Sequence, residues 1–252
     1  MPSDPIPPVS LAPIHRHRLS VRIWHWINAV AFMAMLVSGF VILLAHPRLY
    51  WGEAGYYGDP AWLDLPLPES LSFSGYARSV HFLAAWILVI NAALYLLYGL
   101  ANGHFLRRLL PSAAQLRPVR IASDVWMHLR LKTHTDADGS YNLLQKLSYL
   151  GVLFVLLPVV LLTGLTMSPA VTTDYPWLFD LFGGRQSART IHFIAASSLL
   201  LFLLVHVFQV ILVGFRREVL AMITGGRMVP VMVDERGPPA QAERSPTTEQ
   251  GE

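Results

Sequence analysis

The stretch IHFIAASSLLLFLLVHVFQVILVGF, residues 191–215, contains no Asp, Glu, Lys or Arg, yet it carries two histidines, His192 and His206. It exceeds the roughly 18 apolar residues that a helix needs to cross a bilayer. Working outward, three further windows meet the same test, at 24–45, 79–101 and 147–167. The whole chain agrees with this reading, for its 252 residues are 54% hydrophobic and only 14% charged, with a mean hydropathy of +0.45. In hydrocarbon every backbone polar group must be satisfied internally, which for apolar windows of this length means helices. The sequence therefore predicts an all-α, integral membrane four-helix bundle.

The same composition excludes several classes. A net charge of +3, scattered along the chain, does not make a nucleic-acid groove. The absence of cysteine rules out a disulfide scaffold, a thiolate-held iron–sulfur cluster, a Cys-based zinc site, covalent haem attachment and a cysteine nucleophile. Any metal is left to nitrogen, oxygen or methionine sulfur. The first window contains His25 and Asn28 and ends without a small-residue cleavage site, so it is expected to be a retained helix rather than a removed signal.

Orientation follows from the basic residues, which concentrate on cytoplasmic flanks. The N-terminal flank has Arg16, Arg18 and Arg22; the connection 102–146 has Arg107, Arg108, Arg117, Arg120, Arg130, Lys132 and Lys146; the C-terminal segment has Arg216, Arg217, Arg227, Arg236 and Arg244. The other two connections hold only Arg48 and Arg78, then Arg185 and Arg189. Both termini are thus expected in the cytoplasm, with loops 46–78 and 168–190 outside, in a bacterial inner membrane. Loop 46–78, rich in aromatics and proline, suits interfacial anchoring or docking. The inner connection is expected to include a short surface helix near 122–131. Residues 1–14 and 229–252 read as disordered tails around a core of 15–228.

Ionisable residues inside spans are costly and usually functional. The four windows retain only His25, His81, His192 and His206. His206 lies in Leu203-Leu204-Val205-His206-Val207-Phe208, where an unsatisfied ring would cost about 2–7 kcal/mol. His192 and His206 are 14 residues apart, which places them on nearly one helix face and about 21 Å apart along the axis. Depth then pairs His25 with His206 on the inner side and His81 with His192 on the outer side. Two bis-histidine pairs without carboxylates or thiolates fit six-coordinate b-type haem better than zinc, which gathers four ligands at one point. Two haem b groups, held non-covalently, are the expected cofactors.

Arg78-Ser79-Val80-His81-Phe82 is nearly repeated by Arg189-Thr190-Ile191-His192-Phe193, and Arg22 again stands three residues before His25. At this spacing Arg and His share a helix face. Arg78 and Arg189 are expected to contact outer haem propionates and Arg22 inner ones, with plain snorkelling at helix ends as the competing reading. Gly39 and Gly164 either make room for a porphyrin or allow close helix approach. Pro158 is expected to bend the third span.

This plan, with histidines in spans one, two and four, resembles the bacterial cytochrome b561 and nickel-hydrogenase cytochrome b family over residues 15–228. The stretches Leu162-Thr163-Gly164-Leu165-Thr166-Met167-Ser168-Pro169 and Phe182-Gly183-Gly184-Arg185-Gln186-Ser187-Ala188-Arg189-Thr190-Ile191-His192 resemble its thiosulfate-reductase-type branch, commonly paired with a periplasmic molybdopterin oxidoreductase. The resemblance implies a di-haem cytochrome, the quinone-reactive subunit of an oxidoreductase complex, exchanging electrons between quinone and an external partner. Its ligands fall on the same four histidines. A quinone beside the inner haem would lie nearest Asn102, Gly103, His104, Gln145 and Lys146, although Asn-Gly-His also reads as a plain helix stop. The partners implied are lipid, quinone and a periplasmic redox subunit, with no nucleic acid; a homodimer is compatible. Two rivals belong to other classes: a haem-free transporter or proton channel with a histidine relay, and a stand-alone haem enzyme acting on a small oxidant or superoxide.

Overall fold

A computed structural model describes residues 9–15, 18–55, 59–70, 73–101, 117–119 and 143–232. Its elements run β1 (Val9–His15), α1 (Leu19–Ala45), β2 (Arg48–Leu49), β3 (Leu63–Asp64), α2 (Ser74–Ala101), α3 (Leu143–Gly151), a π-helical turn (Val152–Leu156), α4 (Leu157–Thr166), α5 (Pro169–Asp174), α6 (Trp177–Phe182), α7 (Arg185–Thr224) and β4 (Gly226–Met232). Among the described residues four helices are long and apolar enough to span a membrane: Leu19–Ala45, Ser74–Ala101, Lys146–Thr166 and Arg185–Thr224. Three contain an expected window whole, and the third span holds all of 147–167 except Met167, its C-cap. Those three run beyond their windows by several residues, because helical hydrogen bonding continues past the apolar run into polar flanks.

Large side chains point away from the bundle and small ones into it, the reverse of a water-soluble core. Val30, Trp86 and Leu201 are 69%, 62% and 63% exposed. The buried residues of α1 are Ala31, Ser38 and Ala45, and those of α2 are Ala77, Ala84, Asn91 and Gly99. The first three in each helix recur every seven residues, a narrow stripe of small or polar side chains on the buried face of each. A polar clasp joins the same helices: Asn91 Nδ2 donates to Asn28 Oδ1 at 2.8 Å and to the Trp24 carbonyl at 3.4 Å. Trp24 also packs edge-on to Tyr95, with centroids 5.5 Å apart.

The third span accommodates Pro158 through a wider turn. Proline has no N–H to donate to residue 154, and just before it the Leu157 N–H reaches five residues back to the Val152 carbonyl. Where the sequence led to the expectation of a bend, the span carries the π-helical turn 152–156.

The chain divides into two compact units, Trp24–Leu212, and Met1–Ile23 with Val213–Glu252. In the second, β1 and β4 pair antiparallel, Val9 opposite Met232 and His15 opposite Gly226. Residues 9–14 and 229–232 are therefore strand rather than the disordered tail expected. Both segments are short, largely apolar and end-to-end complementary, and in a two-stranded ribbon Pro13 and Pro230 can leave an outer edge unpaired. Arg22 joins this unit by donating to the Met222 carbonyl at 3.3 Å and to the Ile223 carbonyl. α7 departs from helical geometry at Gly214, with φ 122° and ψ 85°. The surface helix expected near 122–131 lies outside the described residues.

Candidate cofactor sites

The four span histidines meet in two pairs within Trp24–Leu212. The His25 and His206 ring centroids are 6.5 Å apart with planes at 53°, and those of His81 and His192 are 6.3 Å apart at 55°. Two imidazoles bound to one metal from opposite sides, with metal–nitrogen bonds of about 2.0–2.1 Å and a centroid about 1.1 Å behind each nitrogen, would stand about 6.3 Å apart. Both pairs have the span of an axial ligand set. α7 supplies one ring to each pair, α1 supplies His25 and α2 supplies His81. Among the described residues no three His, Asp or Glu side chains converge, so a tetrahedral site has no ligand set there.

Around the outer pair the fold is tight. Ser38 Oγ lies 3.0 Å from His81 Nδ1, and Thr163 Oγ1 lies 3.1 Å from His192 Nδ1. A β-carbon on Gly39 would meet His81 Cε1 at 3.3 Å, and one on Gly164 would meet His192 Cε1 at 3.4 Å. These glycines leave room beside the His81 and His192 rings, a closer role than either expected from the sequence. Around the inner pair, Phe202 stacks on His206 with centroids 6.4 Å apart and planes at 13°, and Tyr149 meets Phe202 edge-on. Neither Ser38 nor Thr163 was singled out by sequence reasoning; the signal was a hydroxyl residue followed by glycine within a span, present in α1 and in α4.

The loop after β2 is laced to the first turns of α7. The Gly52 carbonyl accepts from the N–H groups of Gln186 and Ser187 at 3.0 and 3.1 Å, which satisfies donors at the start of the helix. Ser187 Oγ accepts from the Gly52 N–H at 2.7 Å, and Thr190 Oγ1 donates to the Tyr50 carbonyl at 2.6 Å. Arg189 Nη2 donates to the His46 carbonyl. In the same loop Arg48 pairs with Asp64 at 3.2 Å, and that hydrogen bond, with the carboxylate charge, holds its guanidinium above the ordinary arginine range.

The prokaryotic cytochrome b561 family model matches residues 16–225. The chain belongs to that family. It is a multi-pass b-type cytochrome of the bacterial inner membrane, an electron-transfer subunit whose prosthetic group is haem b. Over 209 residues it is 31% identical to a putative protein-methionine-sulfoxide reductase subunit, YedZ1, of Azospira oryzae, covering 81% of this chain and 93% of the relative. It is 25% identical over 231 residues to a probable Ni/Fe-hydrogenase B-type cytochrome subunit of Cupriavidus necator, covering 86% and 88%. A putative cytochrome of Escherichia coli, YdhU, is 25% identical over 209 residues, covering 77% and 67%. No solved structure matches the chain.

The remaining expected residues of this cytochrome are distributed as follows. Arg78 is exposed near the start of α2, three residues before His81. Arg22 is held by carbonyls of the last turn of α7, a helix-capping position for a cation. Lys146 is buried in α3, at 8% exposure. Asn102, Gly103 and His104 lie outside the described residues, as does the side chain of Gln145.

Proposed function

We propose that this cytochrome carries electrons across the bilayer between the quinone pool and a periplasmic redox partner, holding two haem b groups on His25 with His206 and on His81 with His192. The observation that carries the reading is the pair of facing imidazole couples, each with the span of a bis-axial ligand set. Haem b, when bound, supplies one-electron chemistry at iron and asks of the protein only ligation, orientation and a dry surround. The chain's own part is to place both couples on one rigid helix, α7, whose 14-residue interval sets them about 21 Å apart. The rest of the four spans keeps water from the rings.

Several observations support the finer points. The pairing of β1 with β4 brings the two terminal segments to each other, consistent with both termini on one side, and the arginine distribution makes that side the cytoplasm. Arg78 and Arg189 suit the outer propionates, since the contact of Arg189 with the His46 carbonyl uses only part of a five-donor guanidinium. Arg22, engaged on α7 carbonyls, is read as a helix cap. Lys146, with Asn102 and His104, marks the inner end where quinone would exchange protons and electrons. The Azospira oryzae relative is named as a reductase subunit, which supports an external reductase, of the molybdopterin type or similar, ahead of a hydrogenase as partner.

His206→Ala tests the whole reading. The purified wild type is expected to bind two haems per chain and to show b-type α bands on reduction. The variant is expected to lose the inner one and keep the other. A colourless wild type, or a variant that keeps both chromophores unaltered, overturns the proposal. Addition of quinol to membranes should reduce the haems, and a quinone-site inhibitor should block this; haems that ignore quinol remove the quinone from the reading.

A further inference from the structure

The outer pair is built twice over from one small pattern, a hydroxyl residue followed by glycine in the second half of a span. Ser38-Gly39 on α1 meets His81, and Thr163-Gly164 on α4 meets His192. A hydroxyl has one hydrogen to give and two lone pairs to offer. Ser38 Oγ gives its hydrogen to the Ala34 carbonyl at 2.6 Å, and Thr163 Oγ1 gives its own to the Val159 carbonyl at 2.6 Å. Toward the histidine each oxygen can then only accept, so Nδ1 is the protonated nitrogen of each ring; the hydroxyl works beside a backbone carbonyl, that of Met35 for His81 and that of Val160 for His192. The tautomer leaves the Nε2 lone pair of both rings for a metal. Gly39 and Gly164, one residue on, keep the flank of each imidazole clear.

We propose that Ser38 and Thr163 are positioning residues for the outer haem: by accepting the Nδ1–H of His81 and His192 they fix the ligand tautomer and ring orientation, and so set the potential of that haem apart from the inner one. The inference rests on the reading that His81 and His192 hold a haem. Groups that accept the free N–H of a metal-bound histidine raise its basicity, and their loss typically costs about 10–100-fold in metal affinity. A neutral hydroxyl raises it less than a carboxylate would. Removing it makes the imidazole a weaker donor to ferric iron, which shifts the midpoint potential in the positive direction. The inner haem, on His25 and His206, is held by other surroundings, including the Phe202 ring against His206.

The test uses the full-length, haem-loaded protein with Ser38→Ala and Thr163→Val, both close in volume to the native residue, and Ser38→Thr and Thr163→Ser as conservative counterparts. Redox titration followed at the α bands reads the two potentials. Electron paramagnetic resonance of the low-spin ferric form reads the ligand-plane angle, 55° in the outer pair. Removal of either hydroxyl is expected to shift the outer potential positively, move the outer resonance and weaken retention of the outer haem about tenfold, with the inner haem unchanged. The conservative variants are expected to restore the native values. Outright loss of the outer haem in the removal variants supports the proposal when the conservative variants keep it. Removal variants with both haems and native outer signals overturn it, as do conservative variants that behave like the removal variants. His81→Ala serves as the separate check on the underlying reading: if it keeps two haems, the outer site itself is misassigned.

Discussion

A β-carbon on Gly39 would stand 3.3 Å from the His81 ring, a tight contact, and one on Gly164 would stand 3.4 Å from the His192 ring, at the edge of ordinary van der Waals contact. Gly39→Ala must move the His81 ring by a few tenths of an ångström, an overpacking cost of about 1–3 kcal/mol, against roughly 1 kcal/mol regained in helix propensity. The expected outcome is a displaced outer-haem α band and weaker retention of that haem. Gly75→Ala, where a new methyl would meet nothing within 4 Å, should leave the spectrum unchanged. Equal spectra for Gly39→Ala and wild type would count against the packing argument. The Asn28–Asn91 clasp is a second residue-scale determinant, since interhelical hydrogen bonds in a bilayer contribute about 0.6–1.7 kcal/mol. Asn91→Ala should lower the thermal midpoint of the bundle by a corresponding small step and leave the potentials of the two proposed haems in place. A change in either potential would show that the pair does more than hold α1 to α2.

At the scale of elements, the outer loop and the start of α7 behave as one piece. Gly184 has φ +105°, and a β-carbon there would stand 2.5 Å from the Gly52 carbonyl oxygen, a backbone atom that cannot swing aside. Gly184→Ala therefore combines left-handed strain with a clash, on the order of 2–4 kcal/mol. It should free loop 46–53 from the N–H groups of Gln186 and Ser187. Limited proteolysis from the outer face should then cut that loop faster than in wild type; unchanged protection would show that the lacing is dispensable. The same junction explains why Phe182-Gly183-Gly184-Arg185 is legible as a signature. Gly183 closes α6 in the left-handed region, Gly184 admits the loop, and α7 begins at once with His192 two turns further on.

For the whole molecule, the cysteine-free sequence makes topology directly measurable. Single cysteines at Ser3→Cys and Ser245→Cys should be labelled by an impermeant thiol reagent only from the cytoplasmic side, and Ala54→Cys only from the periplasmic side. Labelling of the two tails from opposite sides would contradict both the arginine count and the ribbon of β1 with β4. Four apolar spans and the four histidines inside them were readable from composition and periodicity alone, because a bilayer accepts almost no other ionisable residue. The two short strands near the termini escaped that reading. A ribbon is stabilised by a partner more than two hundred residues away, and nothing local in Val9–His15 names Gly226–Met232 as that partner.

The sequence by itself determined the solvent of each segment, the number of spans and the depth of each histidine, since these depend on residue type and on the fixed rise of a helix. Which rings face each other at 6.3 and 6.5 Å, which hydroxyl meets which Nδ1, and which glycine yields to which imidazole were decided only in three dimensions. Those relations depend on how helices far apart in the chain rotate about their axes and approach one another.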